Sequence, residues 1–204
     1  MKKGFTLVEM LVVIGIIAVL TAATLMALGK VLKTADGARN REIVSNAATA
    51  LQAIYNKTGQ WPKSLRKATQ DGGSSVLDAK AAYAFVKFGM MKMDSDSKKE
   101  ETTLHDRFGL VTPYAMTVIR RLGDKATEGS KVNGTATIAD HRLRFAIDMD
   151  GDGVIEGVDV GGETLTIRAN AVVWCCGKDG VIQPYSKAGR SDDVHSWTKG
   201  QVIK

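Results

Sequence analysis

Between Met10 and Leu28 the chain runs for nineteen residues without a single charged side chain. A helix rises about 1.5 Å per residue, so about 20 residues cross a bilayer core of about 30 Å. The run is therefore long enough to span a membrane. Lys2 and Lys3 precede it and mark its cytoplasmic end. A secretory signal has a shorter apolar core that lies before a small-residue cleavage site. Here the one plausible cleavage point, after Gly4, comes before the apolar run, so a cut would remove the lysines and keep the anchor.

Glu9 interrupts the apolar segment with a carboxylate. At membrane depth an unpaired carboxylate costs several kcal/mol, which marks such residues as functional and in need of a partner. If the mature chain begins at Phe5, Glu9 is its fifth residue, within reach of the α-ammonium of a neighbouring copy. Pairing of that kind couples relief of desolvation to the side-by-side packing of identical helices and sets their register.

The basic leader ending in Gly4, then Phe5-Thr6-Leu7-Val8-Glu9 and a hydrophobic helix, resembles the type IV prepilin family. The resemblance implies removal of residues 1–4 by a prepilin peptidase, N-methylation of Phe5, and polymerisation with copies of itself and other pilins or pseudopilins on an inner-membrane assembly platform. The expected fold is α+β: a long N-terminal helix, half membrane-spanning and half amphipathic, packed on a small antiparallel sheet. In outline, 1–4 is the leader, 5–33 the membrane and polymerisation helix, and 34–204 a head on the periplasmic side of a bacterial inner membrane.

Beyond Lys33 the helical pattern continues. Ile43, Ala47, Leu51 and Ile54 recur at spacings of three and four and form one apolar stripe. Asp36-Gly37 suggests a bend or a frayed turn, because glycine inside a helix costs roughly 1 kcal/mol relative to alanine. Gly59 can take the left-handed cap, Trp61 can fold back on the stripe, and Pro62 follows. The segment Tyr55 to Pro62 resembles the helix ending of type II secretion major pseudopilins. Residues 63–74 read as a polar loop ending in Ser74-Ser75 as helix caps. Val76–Met93 reads as a helix with Leu77, Ala81, Ala84, Phe85 and Phe88 on its buried face, and Asp94–Glu101 as a solvated loop. HDRFGLVTPY, residues 105–114, resembles the family segment that leads into the sheet. The rest is β-like, with strands expected at Leu143–Ile147, Thr164–Arg168 and Ala171–Cys175.

Two acidic loops stand out in the head. From Asp148, acidic side chains fall at positions one, three, five, nine and twelve (Asp148, Asp150, Asp152, Glu156, Asp159) with Gly153 at six, the spacing that wraps oxygen ligands around Ca²⁺. Val154 would add its backbone carbonyl. The flanks look like strands, unlike the paired helices of an EF-hand. The second loop, Cys175-Cys-Gly-Lys-Asp179-Gly180 followed by Asp192-Asp193 and Trp197, is similar to the major-pseudopilin ending. That resemblance implies calcium held by Asp179, Asp192 and Asp193, with Trp197 in the core.

Other functions are excluded or unsupported. A net charge of +6, with scattered cations and no aromatic-interleaved basic stripe, argues against a nucleic-acid groove. His105, His141 and His195 are the only histidines and lie in polar contexts that read as surface. No nucleophile elbow, HExxH motif or phosphate loop accompanies them, so no enzyme is expected. The adjacent Cys175 and Cys176 would close no useful loop if bridged; on a strand they should face opposite ways, one packed and one nearer solvent. The sequence thus supports a filament subunit of a secretion pseudopilus or a type IV pilus, pilin or minor pilin. The competing class is a membrane-anchored calcium-binding module that never polymerises.

Overall fold

The computed structural model describes residues 7–69, 75–88, 108–186 and 192–203. The chain divides into two compact units, Met1–Ala38 and Arg39–Lys204. Helix α1, Leu7–Thr58, enters both. Within the first unit Leu7–Thr24 is long and apolar enough to cross a membrane, and none of it is buried. Thr21 and Thr24 donate to the carbonyls of Ile17 and Leu20, which satisfies both hydroxyls inside the helix, as hydrocarbon surroundings require. The helix passes through Asp36 and Gly37 without a frayed turn.

The second unit is an α+β head built on the last turns of α1. Val44, Ala47, Leu51 and Ile54 are buried there, with Ile43 only partly so: Val44 takes the deep position expected for Ile43. Gly59, at φ +66°, ends the helix by donating its N–H to Tyr55 O at 2.8 Å. Pro62 then opens a second helix in place of the expected loop. The amides of Leu65 and Arg66 donate to Pro62 O, and α2 runs Lys63–Thr69 with Leu65 fully buried. Ser75 lies in the short strand β1, Ser75–Val76, so it caps no helix. Asp78 does that work: its side chain accepts the Ala81 N–H at the start of α3, Ala79–Lys87. Ser74, residues 89–104 and His105 lie outside the described residues.

The segment from Phe108 threads through the head before turning helical. Leu110 N donates to Leu77 O, Leu77 N to Leu143 O and Leu143 N to Leu110 O, a closed ring of backbone bonds. Pro113 then starts α4, Pro113–Leu122, where a sheet was expected. A proline at the first helical position loses nothing, since that N–H has no partner within the helix. Ala115, Val118 and Ile119 supply the buried side of α4.

The central sheet has the order β1-β4-β7-β8, with β4 at Arg144–Ile147, β7 at Ala171–Cys175 and β8 at Val194–His195. Phe145↔Val173 and Ala146↔Val172 fix the antiparallel register of its middle pair. Successive side chains on a strand face opposite ways. Phe145, Ile147, Val173 and Cys175 accordingly join the cluster around α1 and α3, while Ala146, Val172 and Trp174 join a second cluster. That second cluster is closed by a three-stranded sheet of β5 (Ile155–Val160), β6 (Glu163–Ile167) and β9 (Val202–Ile203). A small hairpin, β2 (Lys131–Asn133) and β3 (Ala136–Thr137), packs with α4 in a third. Trp197 is buried as expected, edge to face with Trp174 at 5.7 Å.

Gly109 shows how closely these parts approach. At φ +73°, a Cβ placed there would lie 2.1 Å from Leu77 O and 2.6 Å from the Asp78 carbonyl carbon, both backbone atoms that have no room to retreat. Gly59 has a similar φ but nothing within 4 Å. Gly59→Ala should therefore cost only the left-handed penalty of about 1–2 kcal/mol, and Gly109→Ala about twice that or more, because the backbone ring must open. Urea unfolding of the two variants under one condition checks the ranking.

Candidate cation loops of the head

An acidic loop lies beside each end of β7. At the first, Asp148 follows β4 directly and its N–H donates to Asn170 O, just before β7. Its carboxylate turns inward, with Oδ1 accepting the Gly151 N–H and Oδ2 the Gly153 N–H, each at 2.7 Å. Burial alone would raise the Asp148 pKa; the Gly151 and Gly153 amides outweigh it and hold the carboxyl below its ordinary value. Asp152 similarly accepts the Val154 N–H at 2.7 Å. Asp148, Asp150 and Asp152 each offer an oxygen within 4.8 Å of the others. Glu156 and Asp159 do not join them. They belong to β5, and Asp159 accepts the Gly162 N–H in the turn to β6. The chain leaves the loop as a strand at Ile155, so of the five acidic side chains expected from spacing the first three stand together.

The loop is anchored to the end of α1. Trp61 Nε1–H donates to Asp148 O at 2.5 Å, and the Trp61 ring lies 4.8 Å from that of Tyr55. The spacing of acids gave no sign of this contact, which joins residues 87 positions apart.

At the other end of β7, Asp179, Asp192 and Asp193 also offer oxygens within 4.8 Å of one another. Lys178 N–H donates to Asp192 Oδ2 at 2.7 Å; Asp193 accepts Gly177 N–H at 2.9 Å and Gln183 N–H at 2.8 Å. A Cβ on Gly177 would fall 1.9 Å from the Asp192 carboxylate, so the close approach depends on glycine. Both clusters present the hard oxygen donors that suit Ca²⁺ or Mg²⁺. Of the expected head residues, then, the fold gathers Asp148, Asp150 and Asp152 in one group and Asp179, Asp192 and Asp193 in another. Gly4 and Phe5 lie outside the described residues, and Glu9 stands in the first turn of α1.

The histidines and cysteines differ from expectation. His141 is fully buried, its Nδ1 2.9 Å from Thr112 Oγ1 and 3.5 Å from Cys176 Sγ. Cys175 and Cys176 are both buried and free, and burial pushes the Cys175 thiol up to about 12. The strand ends at Cys175, so Cys176 turns into the head beside His141 instead of toward solvent. His195 sits among aromatic rings, 5.3 Å from Tyr185 and 4.8 Å from Trp197.

Such an arrangement defines a class: an α+β head behind one apolar helix, with acidic loops at the ends of a buried strand. Residues 1–25 match the prokaryotic N-terminal methylation motif. That motif indicates a type IV prepilin-like N-terminus, of the kind that prepilin peptidase processes in structural subunits that assemble with other pilins. With the apolar helix it indicates an inner-membrane anchor. Comparison with curated proteins and with solved structures gives no match.

Desolvated histidines contribute to the acid sensitivity of the head. Desolvation lowers the His195 pKa to about 4, and it lowers that of His141 despite the opposing charges of Asp140, Asp179 and Asp192. Above about pH 6.5 folded and unfolded chains both keep the imidazole neutral. Below it the unfolded chain takes a proton that the folded chain refuses, so stability is lost as pH falls toward 4. In chelator, the melting temperature should drop across that window, and His195→Phe should flatten part of the drop.

Proposed function

We propose that the chain is a structural subunit of a type II secretion pseudopilus-like filament, held in the inner membrane with its head in the periplasm until extraction into the polymer. The observation that carries this reading is the methylation motif joined to a helix whose apolar first part bears Glu9 in its first turn. Gly4 marks the cut and Phe5 the methylated terminus. Glu9 pairs with the α-ammonium of a neighbouring copy, and the apolar surface around it packs against identical helices. The resemblance of the Tyr55–Pro62 and Asp179–Trp197 segments to major pseudopilins favours a secretion filament over a retractile pilus. In filaments isolated from cells, the mature chain should begin with N-methylated Phe5. Glu9→Ala should abolish cross-linkable oligomers while leaving that processing intact; oligomers at wild-type level would instead overturn the register role of Glu9, and absence of oligomers from the wild-type chain itself would favour a non-polymerising anchored module.

Calcium is the proposed ligand of both acidic clusters, where it offsets repulsion between crowded carboxylates. An ion that binds only the folded state contributes RT ln(1 + [L]/Kd), about 2.7 kcal/mol at a hundredfold excess over Kd. Millimolar Ca²⁺ should raise the melting temperature of the detergent-solubilised chain. Asp150→Ala with Asp152→Ala should remove part of the gain, and Asp179→Ala with Asp192→Ala another part. A melting curve indifferent to chelator would leave both loops as solvated turns.

A further inference from the structure

Away from both acidic loops, a cleft of about 370 Å³ separates α1 from the free edge of the central sheet at β8. Its walls carry Arg41, Ser45 and Thr49 from α1, opposite Ser196 beyond the β8 edge, above an apolar floor that includes Val44. Residues 41, 45 and 49 recur every fourth position, so the three polar side chains share one stripe of the helix. Among the described residues no carboxylate lines the cleft.

The hydrogen-bonding state of these groups is unusual for this chain. The helical hydroxyls of Thr21, Thr24, Thr58, Thr69 and Thr117 each turn back to the carbonyl four residues earlier. Among the described residues, Ser45 and Thr49 make no such bond, and Arg41 pairs with no carboxylate. Ser196 Oγ accepts the Val173 N–H, which leaves its own proton to donate. The His195 ring turns to the other face of the sheet, against Tyr185 and Trp197, and takes no part. The nearby acids are occupied elsewhere: Asp192 with the Lys178 amide, and Asp193 with those of Gly177 and Gln183.

A guanidinium and three hydroxyls with unused donors form a set whose complement is an acceptor-rich anion. We propose that this cleft binds an oxyanion of the phosphate class, held by Arg41 and by the hydroxyls of Ser45, Thr49 and Ser196. Free phosphate and a phospholipid headgroup share that chemistry, and either satisfies the same donors. The proposal is independent of the calcium loops, since none of the six clustered aspartates lines the cleft.

The test uses the full-length chain in a zwitterionic detergent, with chelator present, titrated with inorganic phosphate and followed by calorimetry and ³¹P line broadening. Saturable binding in the millimolar range is expected, weakened about tenfold or more by Arg41→Gln and several-fold by Ser45→Ala with Thr49→Ala. All three positions are exposed, so these variants should melt as wild type does. Lys199→Gln, a change of an exposed cation outside the cleft, should bind as wild type. Short-chain phosphatidylglycerol that displaces the phosphate assigns the site to a headgroup; retention of phosphate assigns it to the free ion. No saturation by tens of millimolar phosphate, or equal binding by Arg41→Gln, overturns the proposal.

Discussion

The head depends on the pairing of β4 with β7, two strands buried on both faces. A strand has only two faces, and each here meets a different partner. Phe145, Ile147, Val173 and Cys175 receive α1 and α3, while Ala146, Val172 and Trp174 receive the second sheet and Trp197. A one-residue slip in that pairing would exchange the two sets and leave neither cluster closed. The register Phe145↔Val173 is therefore fixed from both sides.

The acidic loops inherit their positions from the same strands. Asp148 emerges where β4 ends and bonds across to Asn170, whereas Gly177 and Asp179 emerge where β7 ends. Each loop is stabilised by backbone amides donated to carboxylates, which costs desolvation but supplies enough hydrogen bonds to keep Asp148 ionised. Trp61 ties the first loop to the end of the helix that carries the membrane segment in its other unit.

Much of this was legible before folding. The uncharged run, the leader and Glu9 are local features, because hydropathy and charge act through composition alone. The stripe Ala47, Leu51, Ile54 was legible for the same reason: period and burial coincide on an amphipathic helix. Less legible were α2, whose polar sequence hides one anchoring leucine, and α4, where Pro113 reads as a turn until its place at a helix start is seen. His141 looked like a surface residue, and only the packing of Thr112 and Cys176 around it makes it a core group.

The amino-acid sequence by itself determined that one end is long and apolar enough to cross a membrane, that a carboxylate sits within that segment, and that acids cluster in two loops. Those properties follow from side-chain chemistry and spacing along the chain. Tertiary structure decided which acids meet. Ile155 begins a strand, which carries Glu156 and Asp159 away from Asp148, and the approach of Gly177 to Asp192 brings residues of distant segments within ligand distance. It also decided that Arg41 and Ser45 share a cleft with Ser196, since α1 and the β8 edge meet only when both pack on the same core.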